Sequence, residues 1–233
     1  MATINVTGVG PIPSGSFNLP PWVGNSGLNF YIFAGVEVLA IYIASEDKWY
    51  VKATPCNRCG DCCADMGITH PNFIYPTVGD ACIHMKSLGN FMDCAIGSDR
   101  SLACAIKPEP HNISNYSNCS ITYFENTPIG MDLDITIPEW MQYRPFWFIV
   151  GRELFAGFNA GVWFYKKKRC DNCGDCCKGL SEQAHIFPLV GDVCAYLDTN
   201  NECTIGMNCC LSCALDPNLI GEPNCNINYG SII

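Results

Sequence analysis

The run Cys56-x2-Cys59-x2-Cys62-Cys63 recurs as Cys170-x2-Cys173-x2-Cys176-Cys177, with Gly60-Asp61 answered by Gly174-Asp175. Four thiols within eight residues, made twice in one chain, are not a packing pattern. A loop so dense in sulfur is either cross-linked or wrapped around a metal. Soft thiolate clusters of this kind select zinc, Cu(I) or iron–sulfur centres.

The repetition extends beyond the motif. Ile74-Tyr75-Pro76-Thr77-Val78-Gly79-Asp80-Ala81-Cys82 is answered by Ile186-Phe187-Pro188-Leu189-Val190-Gly191-Asp192-Val193-Cys194. Cys94-x-Ile96-Gly97 is answered by Cys203-x-Ile205-Gly206, each followed ten residues later by Cys104 or Cys213 and then by Pro108 or Pro217. Cys119 matches Cys225 inside a shared Asn-Cys-x-Ile run, and Leu19-Pro20-Pro21-Trp22 matches Ile137-Pro138-Glu139-Trp140. Offsets drift from 118 at Trp22/Trp140, through 114 at Cys56/Cys170, to 106 at Cys119/Cys225, as small insertions and deletions would produce. The chain reads as a tandem duplication: an N-terminal arm at 1–17, a first repeat at 18–127 and a second at 128–233.

Units of about 100 residues bury only part of their surface, so a staple adds usefully to stability. The chain is 48% hydrophobic, 15% charged and carries a net charge of −9, which argues against binding a phosphate backbone. Its one basic run, Lys166-Lys167-Lys168-Arg169, reads as a solvated strand end. The start has no basic n-region, apolar h-region or cleavage site, so cytoplasmic synthesis without a signal peptide is expected. In a reducing compartment, Cys-x2-Cys-x2-Cys spacing favours metal over disulfides. Leu28 to Ala44 is almost wholly apolar, but its counterpart carries Arg152-Glu153 in mid-segment. Both therefore read as buried strands, with no membrane span.

The expected fold is mainly β, each repeat being a small antiparallel meander followed by a cysteine-rich, loop-dominated lobe. The meanders are expected at Leu28–Phe33, Val36–Ile43 and Trp49–Lys52, and at Phe146–Val150, Leu154–Phe158 and Val162–Tyr165. Residues 1–17, punctuated by Gly, Pro and Ser, have no partner in the second repeat and read as an arm that orders on a neighbour.

The candidate ligands are Cys56, Cys59, Cys62, Cys63, Cys82, Cys94 and Cys104, with Cys170, Cys173, Cys176, Cys177, Cys194, Cys203 and Cys213. Cys119 and Cys225 match each other, whereas Cys209 and Cys210 belong only to the second copy. A three-thiolate loop with two-residue gaps can wrap one corner of a cubane, so spacing favours one [4Fe-4S] cluster per repeat, with Zn2+ as the alternative. Eight matched thiols per repeat exceed the four that one centre needs. The four histidines are unmatched between repeats and read as surface or loop residues, and Asp61/Asp175 and Asp80/Asp192 as turn formers.

The ordered pattern Cys-x2-Cys-Gly-x-Cys-Cys, then an isolated Cys, then Cys-x-Ile with a later Cys and Pro, resembles the YkgJ-type cysteine-cluster proteins, described as zinc- or iron-chelating domains. The resemblance spans Cys56–Pro108 and Cys170–Pro217 and implies metal binding. It departs at Arg100-Ser101 in the first copy and Cys209-Cys210 in the second, where the pattern has Arg-Pro, and in the meanders that precede each cluster. No paired carboxylates, nucleophile–base pair or phosphate loop is visible, so the chain is not expected to be an enzyme. Tandem aromatic meanders with an arm are similar to virion or filament accessory proteins, for example in tailed phages. The expected partners are then other protein subunits, contacted through the arm and meanders. Electron transfer and a disulfide-stapled particle-surface protein stand as alternatives.

Overall fold

The computed structural model describes residues 2–24, 26–66, 75, 77–89, 91–97, 100–126, 131–159, 161–166, 178, 188–206 and 229–232. Its strands open with β1 (Thr3–Thr7) and β2 (Gly15–Asn18), followed by β3 (Phe30–Ala34), β4 (Glu37–Ile43) and β5 (Lys48–Lys52). Short strands follow through the cysteine-rich stretch: β6 (Thr77–Val78), β7 (Ala81–Cys82), β8 (Met85–Leu88) and β9 (Phe91–Cys94). Next come β10 (Tyr123–Asn126), β11 (Leu133–Thr136), β12 (Phe146–Val150), β13 (Glu153–Asn159) and β14 (Val162–Lys166). The last are β15 (Leu189–Val190), β16 (Val193–Cys194) and β17 (Tyr229–Ile232). The described α-helices are single turns: α1 (Pro21–Gly24), α2 (Asp61–Ala64) and α3 (Leu102–Ala105).

The molecule is mainly β and its large sheet is antiparallel throughout. Eight strands run in the order β10-β5-β4-β3-β12-β13-β14-β17. Four come from each half of the chain, and the halves meet where β3 pairs with β12, Phe30 opposite Val150 and Ala34 opposite Phe146. A register shift interrupts β3–β4 at Ile32/Phe33, and another interrupts β12–β13 at Phe148/Ile149. The outermost strands, β10 and β17, return to the sheet after the cysteine-rich stretches.

Every residue of β3 and β12 is buried, because both faces of the sheet are covered. Side chains alternate along a strand. Phe30, Ile32, Ala34, Phe146, Phe148 and Val150 therefore serve one core, and Tyr31, Phe33, Trp147 and Ile149 the other. Over the first face lies a three-stranded sheet in the order β11-β1-β2, in which β1 is antiparallel to β2 and parallel to β11. Ile4, Val6 and Phe17 point into the core, and Phe17 stacks 5.1 Å from Phe148 and 5.0 Å from Trp163. Outside, Asn5 Nδ2 donates to Asp134 Oδ1 at 2.7 Å and Ser16 Oγ donates to Asn5 Oδ1 at 2.7 Å. Residues 3–17 of the segment read from sequence as an arm are thus seated on their own chain. The alternation in Thr3-Ile4-Asn5-Val6-Thr7 is the half-buried-strand signal that the surrounding Gly and Pro residues obscure.

The second face is covered by the cysteine-rich stretches. Leu102, Ala105 and Ile106 from the first, and Cys203 and Ile205 from the second, pack on Tyr31, Phe33, Trp147, Ile149 and Leu154. Trp49 and Trp163 are buried in the core, as expected. Lys166 departs from the solvated reading. Its side chain is 2% exposed and Nζ donates to Glu153 Oε1 at 2.6 Å, while Lys52, equally buried, donates to Glu37 Oε1 at 2.8 Å. A strand-end lysine enters a sheet this way because its stem covers apolar surface while a carboxylate on the adjoining hairpin takes its charge. Lys167, Lys168 and Arg169 lie outside the described residues. Among the described residues, no helix is long and apolar enough to cross a membrane.

Candidate metal centre

The first motif loop leaves β5 directly. Thr54 Oγ1 donates to Ser120 O at 2.6 Å, and the backbone N–H of Cys56 donates to Glu37 Oε1 at 3.1 Å. The same Glu37 takes Lys52, and its other oxygen accepts from Arg144 Nη1 at 2.9 Å. Burial pushes the Glu37 carboxyl up, but Lys52, the Cys56 N–H and Arg144 together outweigh it and hold the group below 4.5. The chain then turns through left-handed Arg58 and Gly60, at φ 56° and 86°. Gly60 is required twice over. Its φ disfavours any side chain, and a Cβ would stand 2.6 Å from Met92 Cγ and 2.9 Å from Met92 Cβ. The Gly60 carbonyl accepts from Cys63 N and Ala64 N, both at 2.9 Å, which starts α2 and sets Cys62 and Cys63 on its first turn.

Two further segments close on this loop. The β8–β9 hairpin pairs Met85 with Cys94 and is tied to the motif by Met92 N donating to Arg58 O at 2.8 Å. The β6–β7 pair places Cys82 opposite Thr77. Residues 118–120 are stitched to the loop through Asn57 Nδ2 donating to Asn118 O at 2.7 Å and Asn118 N donating to Asp61 Oδ2 at 3.0 Å. Asp61, read from sequence as a local turn former, thus also anchors a segment 57 residues away. Cys104 sits in α3, whose N-cap Ser101 is fully buried and accepts from Cys104 N at 3.1 Å.

The seven cysteines expected as ligands in the first half, Cys56, Cys59, Cys62, Cys63, Cys82, Cys94 and Cys104, thereby enter one lobe, and Cys119 joins them. Cys62, Cys63, Cys82, Cys94 and Cys104 line a cavity of about 30 Å³, with Arg100 and the buried Lys107 at its wall. Lys107 Nζ lies 3.4 Å from Glu109. His84 also lines this cavity and meets Tyr75 edge-on. His111 is an exposed partner of Glu46 at 2.8 Å.

The backbone prepares several sulfurs for negative charge. Arg58 N–H donates to Cys56 Sγ at 3.3 Å, and Cys82 and Cys119 likewise each receive the N–H of the residue two positions on, His84 and Ile121. Such bonds favour the thiolate. Crowding and burial oppose it. Burial pushes Cys104 up to about 12, with Cys63, Cys82 and Cys94 adding to the effect against the Ser101 hydrogen bond. A hydrogen bond with Cys63, then burial and the charges of Cys63, Cys56 and Cys119, raise Cys62 far above the ordinary thiol range. Ionising these thiols together is opposed by burial and mutual repulsion, which a cation among them would relieve.

None of the ten described cysteines is joined in a disulfide. Among the described residues, no three His, Cys, Asp or Glu groups are arranged to hold a metal ion. In the second half, Cys194 lies on β16, opposite Leu189, and Cys203 bridges to Leu197, its carbonyl accepting from Arg152 Nη1. Cys170, Cys173, Cys176, Cys177 and Cys213 lie outside the described residues, as do Cys209, Cys210 and Cys225.

Sequence reasoning passed over Glu37, Ser101 and Lys107 as parts of the site and left Cys119 out of the ligand set. Two of these carried a signal, since Glu37 and Cys119 are matched by Glu153 and Cys225. The chain matches no protein-family model, no curated protein and no solved structure.

Proposed function

We propose that this chain is a non-enzymatic structural protein in which cysteine-ligated metal centres fasten two loop lobes to one face of a shared β-sheet. The observation that carries the proposal is the gathering of eight cysteines, distant in sequence, into the first lobe, with backbone N–H groups aimed at several sulfurs. The apolar contact between this lobe and the sheet centres on Leu102, Ala105 and Ile106, a small anchor for about 65 residues. Apparent binding energies of about 10–16 kcal/mol for structural zinc in finger peptides indicate how much such a staple contributes.

The two halves are copies of one unit in this reading. Support comes from the sheet order that repeats outward from β3–β12, the register shifts in both central hairpins, and the Glu37–Lys52 and Glu153–Lys166 pairs. The small hairpins β6–β7 and β15–β16 add to it, each bearing a cysteine on its second strand. The resemblance to YkgJ-type clusters points the same way.

Zinc is the metal this reading favours over the cubane suggested by spacing. A structural zinc ion is closed by four protein thiolates without inorganic sulfide, and five thiols line the cavity. The assembly role rests on β10 and β17, each hydrogen-bonded to one neighbour at the ends of the sheet, with Phe124 half exposed on β10. Other protein subunits remain the expected partners, in a virion, filament or comparable particle.

The test is hydrogen exchange on the full reduced chain before and after treatment with a strong chelator. Amides of 53–122 are expected to lose protection while β3, β4, β12 and β13 keep theirs. Unchanged exchange in the lobe after the chain has been stripped of metal refutes the staple.

A further inference from the structure

We infer that the eight cysteines of the first half form two separate four-thiol metal sites, Cys56, Cys59, Cys62 and Cys119 in one and Cys63, Cys82, Cys94 and Cys104 in the other. This rests on the metal-binding reading above and adds to it a number, a ligand assignment and a dividing element.

The division runs through α2. Consecutive residues of a helical turn point about 100° apart, so Cys62 and Cys63, whose side chains are hydrogen-bonded to each other and both touch the cavity, can still reach toward different segments. The first set is assembled by the motif loop and the 118–120 segment, which the Asn57 and Asp61 side chains hold together. Within it the Cys59 and Cys119 side chains are hydrogen-bonded, and none of Cys56, Cys59 and Cys119 reaches the cavity. The second set comes from Cys63 of α2, the two hairpins and α3, and all four of its members line that cavity.

Cys62 stands at the boundary. It touches the cavity, yet beyond its neighbour Cys63 the thiols acting on it are Cys56 and Cys119. Those acting on Cys104 are Cys63, Cys82 and Cys94. Each set also lies beside cationic side chains, of which Lys52 is paired with Glu37 and Lys107 with Glu109. Buried Lys52 acts on Cys56, while Arg100 and buried Lys107 line the second cavity. A tetrathiolate around a divalent ion keeps a charge of −2, and a nearby buried cation offsets it. Two such sites use all eight thiols, including the surplus that one centre leaves over.

The experiment compares zinc content per full-length chain after anaerobic reconstitution with Zn2+, for wild type, C59S/C119S, C82S/C104S and the fourfold variant. Each double variant is expected to lose one ion relative to wild type, and the fourfold variant two. The inference is overturned if C59S/C119S loses none, or if either double variant loses as many as the fourfold one. A wild type that takes up no metal instead refutes the proposed function itself. Near-UV dichroism of Trp49 and Trp163 reports whether a variant keeps the sheet.

A second measurement needs no variant. In the 113Cd-loaded wild-type chain, β-protons of Cys56, Cys59, Cys62 and Cys119 should correlate with one cadmium and those of Cys63, Cys82, Cys94 and Cys104 with another. One cadmium coupled to Cys119 and Cys104 alike overturns the division.

Discussion

Replacing Lys52 by Met tests whether the buried Glu37 cluster joins the sheet to the metal lobe. The lysine side chain is 2% exposed and its partner's 18%, with Nζ 2.8 Å from Glu37 Oε1. Methionine preserves most of the stem packing but leaves a largely buried carboxylate short of one cation. Breaking a buried pair in this way costs about 3–5 kcal/mol. Glu37 keeps Arg144 and the Cys56 N–H, so the lower end, about 3 kcal/mol, is expected. Glu37→Gln alone should cost about 2 kcal/mol, since the amide still accepts from Cys56 but Lys52 loses its counter-charge. In the double variant neither charge is stranded, and a coupling of about 1.5–2 kcal/mol should appear. Urea unfolding of the metal-loaded chains, followed by tryptophan fluorescence, measures all four corners. The sign with pH follows from the depressed Glu37 carboxyl. Its contribution is full above about 4.5 and is lost as pH falls through the folded value. The Lys52→Met chain should therefore lose less stability on acidification than wild type. Single costs below about 0.5 kcal/mol, or strictly additive ones, would refute the reasoning.

Two other predictions concern the lobe and the N-terminal layer. Gly60→Ala forces a side chain into a left-handed conformation, costing about 1–2 kcal/mol, and drives it against Met92. The variant should surrender metal to a chelator measurably faster than wild type, and equal rates would show that the turn is dispensable. Deleting residues 2–14 removes Ile4, Val6 and Ile12, each at most 3% exposed, and uncovers the core around Phe148. At about 1.5–3 kcal/mol for each fully buried apolar side chain, the deletion should abolish cooperative unfolding. A truncated chain that melts like the intact one would restore the reading of this segment as an arm for a neighbour.

The strands were the most legible part of the sequence. Uninterrupted apolar runs at Phe30–Phe33 and Phe146–Val150 can be satisfied only by burial on both faces, which is how β3 and β12 lie. That these two strands pair with each other was not legible, because the contact spans more than 100 residues and neither edge carries a local mark. β10 was hidden for a different reason. Tyr123-Phe124-Glu125-Asn126 is short and half polar, and only its pairing with β5 makes it a strand. Charge misled at Lys166, where a basic run suggested solvent and Glu153 on the adjoining strand provided burial. In the candidate site, spacing singled out the motif thiols but could not bring in Cys119, whose place depends on Asn57 donating to Asn118 and Asp61 accepting from it.

The most direct test of the metal-stapled account is elemental analysis of anaerobically prepared, full-length protein, joined to X-ray absorption at the edge of the metal found. The account predicts zinc in a shell of four sulfurs at about 2.3 Å, with no acid-labile sulfide. Iron with matching sulfide would replace the zinc staple with an iron–sulfur cluster. A metal-free chain with every cysteine oxidised would contradict the account altogether.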